Sequence, residues 1–152
     1  MDIVKTIEMK LYRKLYLGYF LLTCSIIGIS YLMQQNGVYI GWNNSSSVTT
    51  KNILLYGMIG VAIIYSLYLQ NQKTKLRSIK DFDVKKEFHE KYFKIRMTWY
   101  VISCFVSCVL FLLVGNWLFF YFGLFELFLL LIVFPNKFLF KKELEDDDIV
   151  FI

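Results

Sequence analysis

The chain has 152 residues, enough for about one domain, and is 57% hydrophobic, 19% aromatic and 19% charged, with a formal net charge of +5. The apolar share exceeds the roughly 45–50% of soluble domains, and between positions 99 and 134 Glu126 is the only Asp, Glu, Lys or Arg. A domain of this length cannot hide so many apolar residues from water, which excludes a water-soluble enzyme and predicts a small multi-span membrane protein.

The first segment, 1–14, places Ile3, Ile7, Leu11 and Leu15 at four-residue spacing, with Lys5, Glu8 and Lys10 mostly elsewhere. That spacing predicts an amphipathic arm at the inner membrane surface, or else a plain extension of the first span. A membrane core about 30 Å thick needs roughly 17–25 apolar helical residues, and 15–33 supplies the first such stretch. It exceeds the usual signal-peptide core of about 7–15 residues and lacks a good cleavage site, so it reads as retained. Positions 34–52 form a polar outer loop in which Asn43-Asn44-Ser45-Ser46 matches the N-glycosylation pattern twice. That pattern matters only in a secretory compartment, and a Ser/Asn-rich composition accounts for it.

Positions 53–69 form the second span, and 70–96 a strongly basic loop. Within that loop Asp81 can cap a helix, and Val84, Phe88, Tyr92, Ile95 and Trp99 recur every three or four residues. Glu87 with Lys91 and Glu90 with Lys94 make favourable four-residue pairs. A helix therefore begins near Asp83 and runs into the third span, 97–114. His89 reads as a surface histidine, because a lone histidine without neighbouring cysteine makes a poor zinc site. Lys85, Lys86, Lys91, Lys94 and Arg96 read as a cytoplasmic basic face.

The fourth span, 117–134, follows after only Gly115-Asn116. Read as one helix, 97–134 would be roughly 57 Å long, so a tight hairpin at Gly115-Asn116 is the better solution. Pro135 then ends the fourth span. The tail, 135–152, runs from basic to acidic and closes on Ile149-Val150-Phe151-Ile152. Its acids can contact the basic loop, and Val150 and Ile152 can anchor an added strand on a partner. A solvated tail is the bland alternative.

Sixteen of the seventeen Lys and Arg residues fall on the side shared by arm, second loop and tail. The positive-inside rule then puts both termini in the cytoplasm. The fold expected is an all-α membrane protein of four transmembrane helices, N-in/C-in, with a long cytoplasmic extension of helix 3 and a tight helix 3–helix 4 hairpin. A bacterial cytoplasmic membrane is the expected location. The basic charge is explained by orientation and by anionic lipid, so no nucleic-acid partner is expected.

Inside the membrane Glu126 is the most informative residue, because ionisation there costs several kcal/mol unless the group is paired or hydrated. Depth matching across the hairpin, and along the first span, predicts a polar cluster of Glu126, Ser103, Ser107, Thr23 and Ser25. This is either part of an ion or proton pathway or hydrogen-bonded glue between helices. Gly123, Gly57, Gly60 and Gly28 suit close helix packing. Cys24, Cys104 and Cys108 read as small apolar residues, with neither disulfide nor metal indicated. No catalytic motif or cofactor fingerprint is present, so no cofactor is expected.

The reading expected is a non-enzymatic membrane subunit or helper that packs on partner helices and presents its basic loop and tail. An oligomeric pore or ion-coupled carrier using Glu126 is an alternative, and a membrane immunity or defence protein another. The partners implied are the bilayer and either another protein or further copies of this chain.

Overall fold

The computed structural model describes residues 5–38, 48–145 and 149–151. Ile3, Trp42, the 43–46 glycosylation pattern, the acids at 146–148 and Ile152 lie outside these residues. The order of elements is β1 (Thr6–Ile7), α1 (Met9–Gln35), α2 (Val48–Ser78), α3 (Phe82–Val114), α4 (Trp117–Ile132), α5 (Lys137–Leu144) and β2 (Val150–Phe151). Among the described residues three helices, α1 to α3, are long and apolar enough to cross a membrane. The fourth, α4, has 16 residues, which gives a length of about 24 Å. It joins α5 through a bend of 86°.

Local chemistry sets these boundaries. Asp81 accepts hydrogen bonds from the amides of Asp83 and Val84 and so caps α3. From there the helix runs without a break for 33 residues. It ends at Gly115, whose φ of 67° lies in the left-handed region that a side chain disfavours, and whose amide donates to the Phe111 carbonyl. Asn116 at once caps α4 through the Leu118 amide, which makes the hairpin two residues tight. At the other end α4 stops at Ile132, two residues short of the expected span. Pro135 disfavours helical backbone at Phe134, and Asn136 caps α5 through the Leu139 amide.

Packing is uneven. The most extensive contacts join α3 to α4 and α1 to α3. One core lies toward the hairpin, where Ile27, Phe111, Phe119 and Phe120 gather around Cys104 and Cys108. There Gly123 lets α4 approach α3: a Cβ on it would stand 3.4 Å from Cys108 Sγ and 3.7 Å from Cys104 Sγ. A second core closes the opposite, basal end, with Tyr12, Phe93, Met97, Phe140 and Leu144 at its centre. In contrast α2 buries only Leu76. A Cβ at Gly57, Gly60 or Gly28 would meet nothing within 4 Å. None of these three packs closely on another helix of this chain: α2 stands off there, and Gly28 lies on the exposed side of α1.

The first residues also differ from the expected amphipathic arm. Glu8 is extended rather than helical, so α1 starts at Met9. Ile7 lies ahead of it in β1, which pairs in parallel with β2 in the register Thr6↔Val150 and Ile7↔Phe151. The Val150 amide donates to the Lys5 carbonyl at 2.9 Å. The tail therefore adds as a strand to its own chain, forming a clasp under the basal core with Ile7 and Ile149 buried.

Candidate functional site

Two sites emerge, one basal and one midway along the hairpin. The basal site is built by α3 and α5. On α3 the buried face is His89, Tyr92, Phe93, Arg96 and Met97, an i, i+3, i+4, i+7, i+8 stripe in which two polar residues occupy core positions. The expected apolar stripe was rotated from this one: Val84 and Ile95 are 53% and 41% exposed. His89 is accordingly not a surface residue but fully buried, and Arg96 does not belong to the exposed basic face.

What holds both inside is Glu143, brought in by α5. His89 Nε2 donates to Glu143 Oε2 at 2.9 Å and Arg96 Nη1 donates to Oε1 at 2.6 Å. A carboxylate only accepts, so the His89 proton sits on Nε2. Among the described residues His89 Nδ1 and the Nε and Nη2 of Arg96 have no hydrogen-bond partner. Rings take up part of that cost: the guanidinium lies 5.0 Å from the Tyr92 ring centre and 5.8 Å from that of Phe93. Phe140 seals the cluster at 4.8 Å from both the Tyr12 and the His89 rings. A second tail contact, Arg77 Nε to Glu145 Oε1 at 2.9 Å, is half exposed and contributes little by comparison.

Burial alone would raise the Glu143 carboxyl, but the His89 hydrogen bond and the Arg96 charge together hold it well below its ordinary 4.5, at about 2. A depressed carboxyl stabilises the folded form fully above pH 4.5, and that contribution is lost as the pH falls toward 2. It amounts to roughly 3 kcal/mol at neutral pH. Thermal midpoints measured from pH 7 to pH 2 should fall steeply below pH 4.5 in the unmodified protein and much less in Glu143→Gln. Parallel curves would show that another carboxyl governs acid unfolding.

The second site surrounds Glu126, which is 8% exposed. Ser103 Oγ donates to Glu126 Oε1 at 2.7 Å, while Oε2 is buried with no partner among the described residues. The rest of the expected polar cluster does not join this pair. Ser107 donates to the Ser103 carbonyl, Thr23 to that of Tyr19 and Ser25 to that of Leu21. Each hydroxyl is satisfied one turn back on its own helix, an option always open to Ser and Thr. Ser25 is moreover exposed.

Glu126 lines a cavity of about 200 Å³ between α2, α3 and α4, together with Tyr65, Trp99 and Tyr100. Tyr65 stacks on Trp99 with ring centres 3.8 Å apart and planes at 11°, and its hydroxyl donates to the Ile95 carbonyl. These contacts tie α2 to α3. Cys24, Cys104 and Cys108 are free thiols. Of the remaining basic residues, Lys91 and Lys94 pair with Glu87 and Glu90, whereas Lys85 and Lys86 are only half buried on the same helix. The chain matches no known protein family model, no curated protein and no solved structure.

Proposed function

We infer that this chain is a non-enzymatic subunit or helper of a membrane assembly, and that α2 is the element that packs on a partner. One observation carries this reading: no residue in the most apolar 18-residue stretch of α2 is buried. Tyr56, Ile63, Ile64 and Leu67 are 56–70% exposed, and Tyr56, Gly60, Ile63 and Leu67 follow the three-four spacing of a helix–helix seam. The most extensive contacts join α1 and α4 to α3, so α2 is the least committed of the long helices.

In this reading α4 with its bend completes a fourth crossing, and both termini lie in the cytoplasm of a bacterial cell. The clasp, α5 and the start of α3 then form a compact inner cap. Lys85 and Lys86 on that cap are offered to acidic partners or to anionic headgroups.

The test is native mass spectrometry after gentle extraction from the source membrane. A complex with one different membrane protein at fixed stoichiometry is expected, and it should be lost when Ile63 and Leu67 are both replaced by tryptophan. A monomer in every extraction, with no partner recovered by crosslinking from α2, would refute the reading.

A further inference from the structure

We propose that the Glu126 cavity is a binding site for a lipophilic organic cation, an aryl- or alkyl-substituted ammonium that enters sideways from the membrane. The carboxylate is the first part of the argument. One oxygen is held by Ser103, and among the described residues the other is buried without a partner and no Lys, Arg or His lines the cavity. An ionised Glu126 therefore lacks a counter-charge that the protein supplies, and a buried charge left so is costly.

The surrounding surface decides what kind of cation fits. A hard metal ion needs about six oxygen ligands at short range, and Glu126 and Ser103 cannot supply them. A cation whose charge is spread over carbon-bearing substituents needs no such shell. It is stabilised by aromatic faces, and Tyr65, Trp99, Tyr100 and Phe125 line the cavity beside Glu126. A neutral apolar molecule would fill the same space but leave the second carboxylate oxygen unpaired.

Access follows from the poor packing of α2. The cavity shares Met58, Ala62, Trp99 and Ser103 with an apolar groove of about 580 Å³ between α2 and α3. That groove contains no charged side chain, so a ligand following it would come from an apolar phase and not from water. The proposal stands independently of any protein partner, since the cavity lies on the side of α2 that faces α3.

The experiment uses the full-length chain in lipid nanodiscs, with Trp42→Phe and Trp117→Phe so that Trp99 is the sole indole. Benzyltrimethylammonium is titrated against its neutral carbon isostere, neopentylbenzene, with Trp99 fluorescence and calorimetry as readouts. The cation should bind saturably and more tightly than the isostere by about tenfold or more. Glu126→Gln should remove that preference while leaving the helical circular dichroism unchanged. Equal affinity for cation and isostere, or no saturable binding of either, overturns the proposal, and neither result depends on a Glu126 variant folding. A preference that survives in a folded Glu126→Gln protein overturns it as well.

Discussion

Glu143→Ala should destabilise the protein by about 3–5 kcal/mol, the usual cost of removing one partner from a buried ion pair. The effect is large because of what remains. Arg96 is 6% exposed and has no other acid in contact among the described residues, and His89 is fully buried. Both donate to the Glu143 carboxylate and lose it at once. Replacing the whole cluster with shape-matched apolar residues, as in His89→Leu, Arg96→Met and Glu143→Leu together, should recover much of the loss, since buried ion pairs seldom outperform well-packed hydrocarbon. Equilibrium unfolding in mild detergent measures both. A Glu143→Ala loss below about 1 kcal/mol, the range of exposed pairs, would mean that the cluster is open to water.

Phe140→Ala should cost a similar amount, about 3–5 kcal/mol, by a different route. Phe140 is fully buried and touches rings from α1, α3 and β2: Tyr12, His89, Phe93 and Phe151. Removing it opens a void at the point where the tail meets the bundle. The predicted signature is local: α5 should detach before the long helices unfold, exposing the Lys141-Lys142 bonds to trypsin at temperatures where the unmodified protein resists. Cleavage at an unchanged rate would place the weight of the basal core elsewhere.

The two hairpin ends show how much of this fold can be read from the sequence. Asp81 and the Gly115-Asn116 pair act through their immediate neighbours, so their roles as cap and turn are legible in a few residues. The long apolar helices are legible for the same reason: their signal is compositional. The basal cluster is different. Glu143 lies 54 residues from His89 and 47 from Arg96, and each alone resembles an ordinary surface polar group. The available signal was the seven-residue spacing of His89 and Arg96 on the face shared by Tyr92, Phe93 and Met97. Pro135-Asn136 before Phe140 and Leu144 also marks a new short helix. Around Glu126 depth matching puts roughly 104–107 of α3 opposite the carboxyl, and the hydroxyl that reaches it is Ser103, just beyond that stretch. Depth matching could not anticipate that Thr23 and Ser25 would satisfy themselves on their own backbone.

The clasp also sets an order of events. Its two strands are only two residues each, yet pairing them closes a loop that contains nearly the entire chain. Such distant contacts form late, because the ends must wait for everything between them. During synthesis Thr6 and Ile7 emerge long before Val150 and Phe151, the strand they pair with, are made. The base of the bundle therefore stays unlatched while the helices are inserted, and it locks only when the work of insertion is over.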